Sequence, residues 1–137
     1  MVSHASPAPA EQVVRRFIQA IVDRVPVDEL AAFFHPDVEQ VEFPNRIVPG
    51  GARRDLAALL EGATRGRTVL TSERYDVERI VVAGDTAVAE LRWQGTTAIA
   101  IGALAAGSVL TAHICQIVEL EDGRIRRLRN YDCYEPW

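Results

Sequence analysis

From Arg67 to the end of the chain, apolar residues recur with period two in four long runs, at 67–82, 86–100, 108–121 and 124–134. This pattern constrains the fold more than any other feature of the sequence. The runs are separated by Gly84-Asp85, by Asp122-Gly123 and by a longer apolar loop at 101–107. Asp-Gly and Gly-Asp suit tight hairpins, so the runs make an antiparallel sheet. In the first run Tyr75 and Val77 share one parity whereas Ile80 and Val82 share the other. A bulge near Glu78-Arg79 is needed to keep both pairs inside, and bulges bend sheets.

Helices come before these strands. Val14, Phe17, Ile18, Ile21 and Val25 recur at helical spacing and predict an amphipathic helix over 11–25, stopped by Pro26. "VDELAAFF" reads as a short second helix capped by Asp28 and ended by His35-Pro36. "DVEQVEF" reads as a strand, "NRIVPGGA" as a turn-rich loop, and "RRDLAALLEGA" as a third helix. Helices followed by a run of long strands give an α+β arrangement, with the helices covering one face of the sheet. At 137 residues the chain has room for one core, expected over 11–137 after a flexible Pro/Ala lead-in at 1–10.

Composition excludes several functions. All fifteen basic residues are arginine, scattered along the chain, and nineteen acidic residues leave a net charge of −4. There is no basic stripe to track phosphates, so nucleic acid is not an expected partner. Without lysine, Schiff-base chemistry is unavailable. "TTAIAIGALAAGSVL", the longest apolar stretch, has too few large side chains to read as a membrane span. The start lacks a secretory pattern, and a cytoplasmic location is expected. Cys115 and Cys133 have no C-x-x-C or zinc spacing and read as buried small hydrophobes. Three scattered histidines support no metal site.

The last hairpin raises a sharper question. Leu110, Ala112, Ile114, Gln116, Val118 and Leu120 form the core face of their strand, interrupted by Gln116. Across the turn, Ile125 and Leu128 differ in parity, so one extra residue between them must be bulged out. Beyond that bulge Val118 lies opposite Leu128, Gln116 opposite Asn130, and Ile114 opposite Asp132. Asn130, Asp132 and Tyr134 then look inward, beside Gln116, in an otherwise aliphatic wall.

With these elements in order, "VVRRFIQAIVDRVPVDELAAFFHPDVEQVEF", "GGARRDLAALL" and "VELEDGRIRRLRNYD" resemble the SnoaL-like branch of the nuclear transport factor 2-like superfamily, over roughly residues 11–134. The resemblance implies a cone-shaped α+β barrel, three N-terminal helices packed in a strongly bent, mainly antiparallel sheet, with an apolar pocket, usually in a homodimer. It also implies ketosteroid isomerase, polyketide cyclase, epoxide hydrolase or dehydratase chemistry, or binding alone. The polyketide cyclase aspartate, like an epoxide hydrolase aspartate, aligns with Asn130. The ketosteroid isomerase base aligns with Phe43 or, one residue away, Glu42. That enzyme's oxyanion-hole aspartate aligns with Gln116, and its helix-one tyrosine with Phe17. Each of these mechanisms lacks at least one essential group here.

Asp132 is therefore the ionisable candidate, because a carboxyl in apolar surroundings has its pKa raised toward the range useful in acid–base catalysis. Alternatively it hydrogen-bonds loop amides or a nearby arginine. Gln116 and Asn130 are suited to orient a carbonyl or hydroxyl, or else satisfy each other. Phe17, Phe43, Tyr75, Trp93 and Tyr134 are candidate lining residues for a planar polycyclic ligand, and Glu42 joins them if Phe43 faces away. His113 has outer-face parity, and an inward placement would pair it with Asp132 as a dehydratase requires. The expected function is cofactor-independent, metal-free acid–base chemistry on a small apolar or polyketide-like molecule. The alternative is a non-catalytic binder or dimeric accessory protein. A homodimer on the convex sheet face is expected from the outward Cys115 and Ile117.

Overall fold

The computed structural model describes residues 8–137, so residues 1–7 of the expected lead-in lie outside the described part. Pro9 and Ala10 belong instead to the first helix, α1 (Pro9–Val22). Proline is preorganised for a first helical turn, and Ala10 is buried against the core. Val14, Phe17 and Ile18 of α1 are buried in the same cluster.

The second helix, α2 (Val27–Ala31), is shorter than the pattern suggests, and Pro26 rather than Asp28 occupies its N-cap. Phe34 leaves the helix to open strand β1 (Phe34–Glu42), where it is buried edge-on against Phe17 at 5.2 Å. Burial of that ring outweighs its place in a helical pattern, and His35-Pro36 consequently lies in the strand. A short strand, β2 (Ala52–Arg54), follows the turn-rich loop and pairs antiparallel with β1, setting Arg54 opposite Gln40. Helix α3 (Leu56–Val69) starts where the Asp55 side chain accepts from the Ala58 N–H at 2.9 Å. It runs past Gly62 and Gly66, six residues further than the sequence pattern indicates, and takes the start of the first long run with it.

Four long strands complete the chain: β3 (Leu70–Ala83), β4 (Thr86–Thr97), β5 (Val109–Glu121) and β6 (Arg124–Tyr134). The six strands form one sheet in the order β2-β1-β6-β5-β4-β3. Every pairing is antiparallel except β1 with β6, which places Glu42 beside Asn130. Register shifts fall between Val77 and Arg79, and at the β5–β6 pair where Leu120 faces Ile125 but Glu119 faces Arg127. Both bulges sit where parity demands them. Beyond the second, Val118 pairs with Leu128, Gln116 with Asn130, and Ile114 with Asp132.

One face of this bent sheet packs against the helices, and Leu91, Val118, Ile125 and Leu128 on it are almost fully buried. The other face carries His113, Cys115 and Cys133. The cysteines are not the buried hydrophobes expected, since Cys133 is exposed and Cys115 only partly covered. Among the described residues no helix is long and apolar enough to cross a membrane.

Candidate functional site

The inner face concentrates its polar groups where β1, β2, β5 and β6 meet. Glu42 and Gln40 alternate inward along β1, and edge strand β2 swings Arg54 over both. Its Nη1 donates to Glu42 Oε1 at 2.8 Å and to Gln40 Oε1 at 3.0 Å. Gln40 in turn donates from Nε2 to Asn130 Oδ1 at 3.0 Å. Asn45, in the loop after β1, donates from Nδ2 to the other Glu42 oxygen at 2.8 Å. Glu42 is thus a fully engaged carboxylate. Asn130 does not pair with Gln116 although the two face each other across the ladder. With its oxygen held by Gln40, what Asn130 can still offer is its amide N–H groups.

Two acceptor atoms in this wall are left over. Gln116 is 5% exposed, and neither its Oε1 nor Asp132 Oδ1 has a hydrogen-bond partner, although both atoms are buried. Burial raises the Asp132 carboxyl from 3.8 to about 6, the neighbouring Glu42 pushes the same way, and Arg54 opposes them. Arg54 is committed to Glu42, so it gives Asp132 a field rather than a direct bond. Among the described residues Asp132 makes no ion pair with an arginine, and its surroundings include the charged Glu42–Arg54 pair as well as apolar side chains.

The aromatic candidates divide between the two faces. Phe43 lies on the outer face, stacked on Tyr131 with ring centroids 4.4 Å apart. It lines no inner pocket, because the pleat that turns Glu42 inward turns its neighbour outward. His113 is also outside, with Nε2 2.9 Å from Glu135 Oε2 and a side chain 55% exposed. No bulge reverses its parity, and it makes no pair with Asp132. Trp93 is buried on the inner face, edge-on to Tyr134 at 6.0 Å. Burial raises the phenol of Tyr134, and the fields of Asp132, Glu42 and Glu73 add to it. Tyr75 shares a rung of the sheet with Trp93. Its phenol is raised by burial, then by Glu73, Asp132 and Tyr134.

A cavity of about 200 Å³ lies beneath α3, between it, α1, α2 and β3. Phe17 lines it, but Asp132, Asn130 and Gln116 do not. Its carboxyl is Glu73, which accepts from Trp93 Nε1 at 3.0 Å. Burial raises the Glu73 pKa above its ordinary value, and that hydrogen bond and the fields of Arg24 and Arg67 offset the rise only in part. Glu73, Gln40 and Arg54 were not singled out from the sequence. Glu73 shares the parity of Tyr75 and Val77, a signal that was present. Arg54 read as part of a helix, so its place opposite Gln40 was hidden.

The SnoaL-like domain family matches residues 14–128. This chain belongs to that family. Among solved structures, the SnoaL-like protein resembles IdmH of Streptomyces antibioticus, a provisionally assigned polyketide cyclase, at 19% identity and TM-score 0.75, covering 90% of this chain and 91% of that one. An LEH-like epoxide hydrolase of M. tuberculosis aligns at 19% identity and TM-score 0.69, covering 93% and 83%. TerC, co-crystallised with polyporic acid, aligns at 20% identity and TM-score 0.71, covering 90% and 91%. No curated protein matches the sequence. At these identities the structural likeness establishes the fold of this SnoaL-like chain, and its activity has to be argued from its own inner wall. Among the described residues no three His, Cys, Asp or Glu side chains form a group able to hold a metal ion.

Proposed function

We propose that this SnoaL-like protein is an acid–base enzyme working without cofactor or metal on a small apolar or polyketide-derived molecule, with Asp132 as the group that moves the proton. The observation that carries the reading is the Asp132 carboxyl, raised to about 6 and with Oδ1 buried and unpartnered, beside a second carboxylate, Glu42, that is fully engaged. Two carboxyls in different environments have different tasks: Glu42 is held by Arg54 and Asn45, and Asp132, with its raised pKa, is the one placed to exchange a proton. In the ionised form Asp132 takes a proton from carbon or hydroxyl. The electron pair left behind moves onto a substrate oxygen, and the same carboxyl returns the proton elsewhere, as isomerase, cyclase or dehydratase chemistry requires.

Asn130 supports this assignment through its amide N–H groups, which can donate to an oxygen where negative charge develops. Gln116 Oε1, buried and unpartnered, suits a substrate hydroxyl. Residues Trp93, Tyr75 and Tyr134 supply an aromatic wall nearby. A homodimer on the convex sheet face remains part of the proposal, on the strength of the outward Ile117 and Cys115.

A second reading, a non-catalytic binder, draws support from the position of the cavity, which none of Asp132, Asn130 and Gln116 lines. Native mass spectrometry against a panel of small ketones, phenols and epoxides, coupled to product analysis, separates the two. Turnover that is lost in Asp132→Asn supports the enzyme. Binding with no turnover across the panel moves the assignment to the binder.

A further inference from the structure

Helix α3 covers the inner face without filling the space below it. None of its residues is buried. Gly62, Ala63 and Gly66 lie on one face, at spacings of three and four, and all three line the cavity. A Cβ added at Gly66 would meet nothing within 4 Å. Glycine inside a helix is less stabilising than alanine, so Gly66 over an open space favours access to that space rather than helix stability. Phe17, Ile21, Leu30 and Phe34 make the opposite wall apolar.

Into this apolar space the protein puts one carboxylate. Glu73 uses Oε1 to accept from Trp93, and among the described residues its Oε2 has no hydrogen-bond partner and Glu73 makes no ion pair. The two guanidinium groups whose fields reach it are occupied elsewhere. Arg24 donates to the backbone carbonyls of Arg67 and Leu70, and Arg67 to that of Val25. A ligand anion would meet a like charge on Glu73, and a ligand cation would meet two guanidiniums. A neutral hydrogen-bond donor suits both. Size narrows the choice further, since an apolar cavity of about 150 Å³ holds benzene and drug-sized ligands occupy about 300–1,000 Å³. At about 200 Å³ the space fits one substituted ring.

We propose that the cavity beneath α3 is a binding site for a neutral single-ring molecule carrying one hydroxyl group, which donates its hydrogen bond to the Glu73 carboxylate. The proposal rests on the small-molecule reading given above but not on the proton transfer assigned to Asp132.

Isothermal titration calorimetry with p-cresol and toluene as probes tests it at neutral pH. A hydrogen bond to a charged acceptor corresponds to roughly a tenfold or greater preference for p-cresol over toluene in the wild type. Glu73→Gln keeps an acceptor for Trp93 but removes the charge, and should reduce that preference at least threefold while leaving toluene affinity unchanged. Ala63→Leu should weaken both ligands at least tenfold by filling the space. Should that variant fail to fold, Gly66→Leu fills it from the next turn. Equal affinity of the wild type for both probes, no heat from either, or undiminished binding in the filled variants overturns the proposal. Because binding is read without turnover, such a failure leaves the Asp132 assignment standing.

Discussion

Glu42 on β1 and Arg54 on β2 meet at 2.8 Å, and the same guanidinium nitrogen reaches Gln40, which in turn holds Asn130. A three-residue edge strand thereby fixes an amide near the centre of the sheet. The Glu42 side chain is 13% exposed and that of Arg54 22%, so the pair is more protected than a surface ion pair.

Arg54→Met leaves Glu42 without its cation. Removing one partner of a buried pair costs about 3–5 kcal/mol, and the residual exposure here lowers that to about 2–4 kcal/mol. Urea denaturation at pH 7 should show this loss, and the double variant Glu42→Gln/Arg54→Met should recover part of it. The same single variant should raise the Asp132 pKa further, because the opposing field of Arg54 disappears.

Phe43 and Tyr131 form a stacked pair on the outer face, worth about 0.5–1.5 kcal/mol beyond the area they bury. Phe43→Ala should lower the urea midpoint by a corresponding amount and leave p-cresol affinity within twofold of wild type. A loss of ligand affinity would place Phe43 in the pocket after all.

Trp93 lies across Gly95 so closely that a Cβ on Gly95 would come within 2.4 Å of Cζ2 of the indole. Overpacking of this kind costs typically about 1–3 kcal/mol. In Gly95→Ala the indole has to move, and its hydrogen bond to Glu73 should weaken. In a Trp137→Phe background, where Trp93 is the sole tryptophan, the emission maximum should therefore shift, with a lower thermal midpoint.

Much of this architecture was legible in the sequence, because alternation over more than ten residues leaves little freedom in which side of a strand faces the core. The parity conflict between Ile125 and Leu128 was enough to locate a bulge and hence to turn Asn130 and Asp132 inward. Local pattern failed where tertiary contacts decide. Phe34 leaves a helical pattern to bury its ring against Phe17, and α3 continues through Gly62 and Gly66 with Leu56, Leu59 and Ala63 packed against the core. The site was half legible for a related reason. Asp132, Asn130 and Gln116 sit in regular strands, whereas Arg54 acts from a strand too short to show periodicity and meets Gln40 only through sheet pairing.

The elevated Asp132 pKa has a signed consequence for stability. Its folded-state value, about 6, lies above its ordinary 3.8, so the folded protein binds the proton more tightly than the unfolded chain does. The protonated carboxyl carries no penalty below pH 3.8. As pH rises from there through about 6 the charged form becomes the folded form, and stability falls. At about 1.4 kcal/mol per pH unit the ceiling is about 3 kcal/mol, reduced by partial exposure to about 2 kcal/mol. Asp132→Asn should therefore be more stable than wild type by that amount in melts at pH 8, by about half as much at pH 5, and by almost nothing at pH 3.5. A variant less stable than wild type at pH 8 would mean that the carboxylate is held by a partner.

A pH titration of the Asp132 side-chain carboxyl carbon by NMR tests the central assignment most directly. Specific ¹³C labelling, with Asp132→Asn to identify the resonance, reads this one group whatever the substrate. The account predicts an inflection near 6, moving upward in Arg54→Met. An inflection at or below 4 would show Asp132 to be an ordinary or paired carboxylate, and would contradict its role as the acid–base group of this inner wall.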